Sequence, residues 1–308
     1  MRHGRVGRLL LTLALATASC SSRPPSVRTG QVRPGHFDVV AETGRRITTN
    51  RDDVAYDLYV PRPEAGRPAP PWPALVLAHG FARNRAFHAN TARSLAGRGV
   101  VVLAADLASL LGGEPAREAN VASTRDHVAW LRERSATPGD VLFGLVDPER
   151  VALAGFSAGG AVAFEAAATG ARVRAVVLLD AVPWKRTIAA ARAMPATRLV
   201  SLRSEPSACN GKGSVQKLLA GLGFESEDVR IVGATHCDAE DPTDGLCRLF
   251  CGGTSEEGRA AYRRLLTLFL EEALEVPPVE ESPDGWDEAI RRGVEDGSLA
   301  SGRVVPGR

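Results

Sequence analysis

Short, unbroken apolar runs recur along this chain, and they constrain its fold more than any other feature. Ala74-Leu75-Val76-Leu77-Ala78, Val100 to Ala104, Val151 to Ala154 and Ala175 to Leu179 each hold four or five residues with no polar member. A strand with one wet face alternates apolar and polar residues, whereas a strand buried on both faces does not. Between and after these runs lie segments of helical pattern: His88 to Arg98, Pro115 to Arg134 with Val121, Val128 and Leu131, and Ala158 to Ala168. Leu199 to Leu202, a helix over Val215 to Leu222, a strand over Val229 to Val232 and a helix over Arg259 to Leu274 continue the alternation. His36 to Glu42 and Val54 to Val60 read as early, partly exposed strands, followed by a proline-rich connector from Arg62 to Pro73. The order predicts the α/β class, with a mainly parallel central sheet flanked by helices on both faces. With 308 residues, 44% of them hydrophobic, one sizeable core over residues 36 to 275 is expected. Residues 276 to 308 are expected as an acidic, loop-like C-terminal tail, with at most a short helix from Pro283 to Gly293.

The first 20 residues read as a targeting segment. Arg2, Arg5 and Arg8 make a basic stretch, and Leu9 to Ala16 make an apolar run of 8 residues, too short to span a bilayer. Thr17-Ala18-Ser19-Cys20 resembles a bacterial lipobox, in which Cys20 would become a lipidated N-terminus. Thr17 stands where leucine is usual, so ordinary cleavage nearby is the rival reading. Residues 21 to 35 then form a solvated tether. Either route exports the protein, and lipidation of Cys20 would anchor it to a membrane. Without the three leader arginines the remaining charge is within one unit of neutral, so no nucleic-acid partner is expected.

Four further cysteines, Cys209, Cys237, Cys247 and Cys251, suggest two disulfides in an exported chain. Three connectivities are open. The rival readings are free buried thiols and a metal site; no C-x-x-C pair supports zinc, and no metal is expected.

The chemistry centres on Gly155-Phe156-Ser157-Ala158-Gly159. The pattern is weak by itself, because a serine before a helix is usually an N-cap. Here a buried strand precedes it and a small-residue helix follows, which is the setting of a nucleophile elbow. Ser157 is therefore the candidate nucleophile. Gly155 and Gly159 allow strand and helix to approach closely around a strained serine. The helix start offers backbone N–H groups to a developing negative charge. An oxyanion hole would take one N–H from Ala158 and a second from Phe81, in the loop Ala78-His79-Gly80-Phe81. Of the six histidines, His236 follows the last core strand and is the candidate base. His79 is read as structural, and His88 and His127 as helix-face residues. Two acids fit the chain order: Asp180 at the end of one strand and Glu205 just past the next. Phe81, Phe87 and Trp184 are candidates either for an apolar acyl site or for core packing.

These residues resemble the α/β-hydrolase superfamily over roughly residues 36 to 275. "AHGFARNRAF", "GRGVVVLAADL" and "PSACNGKG" look like chlorophyllases and the related bacterial polyester hydrolases. "GFSAGG", "VVLLDAVPW" and "GATHCDAED" are similar to platelet-activating-factor acetylhydrolases. The chlorophyllase and acetylhydrolase resemblances imply Asp180 as the acid, while the polyester hydrolases would favour Glu205. Phe156 departs from the histidine frequent at its position. The resemblance implies a serine esterase with a Ser157-Asp180-His236 triad, acting on a small-molecule, lipid or polymeric ester without metal or organic cofactor. The competing readings are a catalytically silent surface lipoprotein that uses the fold to bind, and a serine peptidase of the same fold.

Overall fold

The computed structural model describes residues 37–66, 69–108, 113–277 and 284–306. The expected signal peptide, Cys20 and the tether lie outside the described residues. Nine strands form one sheet: β1 (Val39–Ile47), β2 (Asp53–Pro61), β3 (Trp72–Ala78), β4 (Val101–Ala105), β5 (Val146–Phe156), β6 (Ala175–Leu179), β7 (Arg198–Arg203), β8 (Ser226–Ile231) and β9 (Leu299–Val304). The helices are α1 (Ala89–Gly97), α2 (Gly113–Ala136), α3 (Ala158–Ala168), α4 (Lys185–Ala190), α5 (Val215–Leu219), α6 (Gly245–Cys251), α7 (Glu256–Ala273) and α8 (Trp286–Glu295).

Strand order is β1-β2-β4-β3-β5-β6-β7-β8-β9. The pairs from β4 through β3, β5, β6 and β7 to β8 are parallel. Antiparallel strands close both ends: β1 and β2 on one side, β9 on the other. This is the α/β-hydrolase arrangement, a mostly parallel sheet with helices on both faces.

The unbroken apolar runs have a direct cause. Successive side chains of a strand point to opposite faces, and here each face has its own core. Leu75 and Leu77 of β3, Ala152, Ala154 and Phe156 of β5, and Val177 and Leu179 of β6 pack under α1, α7 and α8. Their neighbours Ala74, Val76, Val151, Leu153, Val176 and Leu178 pack under α2, α3 and α5. Helix α3 is apolar nearly all round because almost every residue in it is buried.

The segment beyond residue 275 departs from the expected tail. Trp286, Ala289 and Leu299 are buried, and Trp286 meets Phe269 edge-on at 5.3 Å. Strand β9 then pairs with β8 from Ser226↔Val304 to Ile231↔Leu299. Helix α8 falls on the short helix expected from Pro283 to Gly293, whereas β9 carries little local signal. Of the six residues of β9 only Leu299 is buried, so the strand pattern is faint. Helices α4 and α6 were likewise not anticipated, being 6 and 7 residues long.

Candidate active site

The sheet divides at β3: β4 lies on one side of it and β5 on the other. Such a switch point opens a crevice at the carboxyl ends of the strands. The loops after β3 and β5 meet there. Gly80 comes close enough to Ser157 that a Cβ on it would stand 3.2 Å from the serine Cβ, and 2.8 Å from the Phe156 ring.

Ser157 connects β5 to α3 at φ 53° and ψ −119°. Positive φ costs a non-glycine residue of order 1–3 kcal/mol and persists only where the surroundings enforce it. The enforcement is visible: the Ser157 N–H donates to Leu179 O at 2.9 Å, and its carbonyl accepts from Val182 N at 3.0 Å. A Cβ at Gly155 would lie 2.2 Å from Gly159 O, and one at Gly159 would lie 2.3 Å from His79 O. Both positions therefore require glycine for close strand–helix approach. The Ser157 side chain makes no cap hydrogen bond to α3. Its Oγ lies 3.1 Å from His236 Nε2.

His236 opens a single 3-10 turn, His236–Ala239, after β8. Asp238 holds that turn, accepting from Thr235 N at 2.8 Å and from Ser255 N at 2.9 Å, just before α7. His236 Nδ1 lies 2.6 Å from Asp180 Oδ2. A carboxylate only accepts, so Nδ1 carries the proton and Nε2 presents its lone pair to Ser157. All three residues are buried, at 8%, 1% and 5% exposure for Ser157, Asp180 and His236.

Asp180 directly follows β6, at φ 43°. Its carboxylate also accepts from Ser204 N at 2.9 Å, Ser204 Oγ at 2.7 Å and Asn210 Nδ2 at 3.2 and 3.3 Å. Glu205, the other candidate acid, points elsewhere. Its carboxylate takes Arg230 at 2.7 Å and Gly233 N at 3.3 Å, and it makes no hydrogen bond to His236 among the described residues. Buried Tyr262 lies near Asp180 and Asp238; burial, then these carboxylates, push its phenol well above the usual range, so it stays protonated.

The N–H groups of Phe81 and Ala158 find no acceptor among the described residues. His79 shapes the loop that carries the first. Its Nε2 accepts from Leu107 N at 2.8 Å, so Nδ1 bears the hydrogen donated to Gly80 O at 2.8 Å. Burial lowers the His79 pKa and keeps the ring neutral. Arg83 then fastens this loop to the far side of the site. It reaches Glu240 at 2.7 and 2.8 Å and Asp244 at 3.1 Å, and stacks over Phe87 at 3.5 Å. Of the three aromatic candidates, Phe81 is 52% exposed, Phe87 is buried beneath Arg83, and Trp184 packs against the α2–α3 core.

The cysteines pair as Cys209–Cys251 and Cys237–Cys247. Both bonds touch the site: Cys237 follows His236, and Cys209 precedes Asn210. The sulfurs of Cys237, Cys247 and Cys251 cluster within 4.8 Å, but all three are disulfide-bonded. Cys247 and Cys251 both belong to α6, whose Asp244 cap accepts from Cys247 N at 3.0 Å. Sequence reasoning missed Ser204, Asp238, Arg83 and α6, whose roles depend on contacts between distant segments. No helix among the described residues is long and apolar enough to cross a membrane.

No curated protein matches the chain. Among solved structures it is similar to a ferulic acid esterase from Streptomyces cinnamoneus, with a TM-score of 0.61 and 16% identity over 82% of this chain and 93% of that one. The family model described as "Alpha/beta hydrolase family" matches residues 75–294. That span runs from β3 through the elbow and the His236 turn into α8, and the chain belongs to the alpha/beta hydrolase family.

Proposed function

We propose that the protein is an exported, serine-dependent carboxylic ester hydrolase that works through an acyl-enzyme on Ser157. One observation carries the reading: the hydrogen-bonded chain Ser157 Oγ–His236–Asp180, buried at the carboxyl edge of the sheet. In the reaction His236 Nε2 takes the Ser157 proton as Oγ attacks the ester carbonyl. Asp180 keeps the Nδ1 proton in place and stabilises the imidazolium. The free N–H groups of Phe81 and Ala158 receive the oxyanion, at the start of α3 where the helix dipole favours negative charge. His236 then protonates the leaving alcohol, and water releases the acid by the same steps in reverse. An esterase with the same fold accords with this chemistry, but the side-chain geometry is what supports it.

The substrate is a small-molecule, lipid or polymeric ester. Two disulfides fit an oxidising compartment, and acylation of Cys20 would hold the enzyme at a membrane. The test is hydrolysis of p-nitrophenyl esters from acetate to palmitate by protein lacking its first 20 residues, beside Ser157→Ala. Loss of turnover in Ser157→Ala and of fluorophosphonate labelling is the expected result. Absence of both activities in the parent protein sinks the proposal.

A further inference from the structure

We propose that Asn210 is a positioning residue that sets the plane of the Asp180 carboxylate, and that "PSACNGKG" exists to present it. The inference rests on Asp180 being the acid of the site.

The loop is built around this side chain. Asn210 is 1% exposed. Its Oδ1 accepts from Ser207 N at 2.8 Å and Gly213 N at 3.0 Å. Backbone N–H groups only donate, so these two bonds fix which end of the amide is oxygen. The NH₂ end must then face Asp180, where it spans both carboxylate oxygens at 3.2 and 3.3 Å. It also reaches Ser204 Oγ at 3.1 Å and Glu205 O at 2.9 Å. A donor that spans both oxygens adds a further restraint on rotation of the carboxylate to the single bonds that Ser204 N and Ser204 Oγ make to Oδ1 and Oδ2. Rotation matters because Oδ2 must stay 2.6 Å from His236 Nδ1.

The backbone around Asn210 pays for this placement in left-handed residues. Gly211, Lys212 and Gly213 have φ of 59°, 56° and 75°. Lys212 N closes the turn on Ser207 O at 2.7 Å. The Cys209–Cys251 bond ties the same turn to α6.

The amide has two separable halves, and one substitution distinguishes them. Asn210→Asp retains the oxygen that serves Ser207 and Gly213, and replaces only the half facing Asp180. Two facing carboxyl groups cannot both ionise cheaply, so the introduced group holds a proton and still donates at low pH. As pH rises that donor is lost. We expect kcat of Asn210→Asp to fall about 10- to 100-fold at pH 8, the loss typical of a hydrogen bond to a charged group. KM should stay within about twofold, because the residue touches no substrate. The ratio of variant to wild-type kcat should decline steadily from pH 6 to pH 9. A folded Asn210→Asp with wild-type kcat and a flat ratio would assign Asn210 to the turn alone and overturn the inference. A second arm covers poor folding of that variant. The exchange Asp180→Asn/Asn210→Asp restores one carboxylate facing one amide, so its thermal midpoint should recover relative to Asn210→Asp; no recovery also overturns the inference. Wild-type protein inactive toward esters would sink the functional reading instead, and is seen separately in the same assay.

Discussion

The ring of Phe156 lies against the ring of His236, with centroids 4.6 Å apart and planes tilted by 39°. The residue that leads into Ser157 therefore also braces the His236 ring. Phe156 is almost fully buried, and His88 meets its ring edge at 5.9 Å. Removing the ring leaves a cavity and frees the imidazole. Phe156→Ala should cost about 3–5 kcal/mol of stability and lower kcat by about tenfold or more through lost orientation. Phe156→Leu should fall between it and wild type. Denaturant unfolding and ester kinetics on the same preparations check both.

The two candidate acids have different surroundings and should respond differently. Asp180→Asn replaces the group that fixes the His236 tautomer, and kcat should drop by about 1,000- to 10,000-fold with little change in fold. Glu205 shares a half-exposed ion pair with Arg230. Glu205→Gln should retain most activity and shift stability by no more than about 1 kcal/mol. Equal losses from the two substitutions would contradict this assignment.

Reduction should disable the site before it dismantles the sheet. The disulfides close spans of 42 and 10 residues. In the chain-entropy account, such loops stabilise by about 4 and about 3 kcal/mol. Both bonds also hold segments that carry His236 or contact Asp180. In dithiothreitol the thermal midpoint should fall, and esterase turnover should fall at temperatures where the far-ultraviolet dichroism remains native. Unchanged turnover after complete reduction, verified by mass, would show that the tethers are dispensable.

Acid should destabilise the fold through buried histidines. Burial lowers both His88 and His127 to about 3, while an unfolded imidazole titrates near 6.5. Below about pH 6.5 the unfolded chain binds the additional protons. The stabilisation is full above that pH and declines as pH falls toward about 3. Each ring should cost about 2 kcal/mol by pH 5. Unfolding near pH 5 should therefore take up about two protons from these residues, measurable by calorimetry in buffers of different ionisation enthalpy.

Deleting residues 284–306 tests whether the C-terminal segment belongs to the core. The cut exposes the edge of β8 and removes Trp286 from Phe269. Trp286→Ala alone should cost about 3–5 kcal/mol, and the deletion should aggregate, because an uncovered strand edge invites pairing. Light scattering during refolding reads this directly.

These cases also show what was legible in the sequence. Runs such as Leu75 to Ala78 announced strands buried on both faces, because side-chain alternation disappears when both faces are apolar. The elbow setting of Ser157 was legible from its strand, glycines and helix, and the place of His236 from following the last parallel strand. The choice of acid was not, because Asp180 and Glu205 both sit at strand ends and only the direction of the side chain separates them. Helix α6 and strand β9 were illegible for another reason. One is held by cysteines whose partners no local pattern specifies, and the other buries a single leucine.

Helix α6 carries a consequence of its own. Cys247 and Cys251 fasten it toward the His236 turn and the Asn210 loop, while Leu249 and Phe250 stand 77% and 72% exposed. One short element thus has an inner side fixed by covalent bonds and an outer side under almost no packing constraint. Mutations on the outer side can accumulate without disturbing Asp180 or His236. In evolutionary terms the helix separates two kinds of heritable change, so its outer surface can diversify between descendants while the placement of Asp180 and His236 is inherited intact.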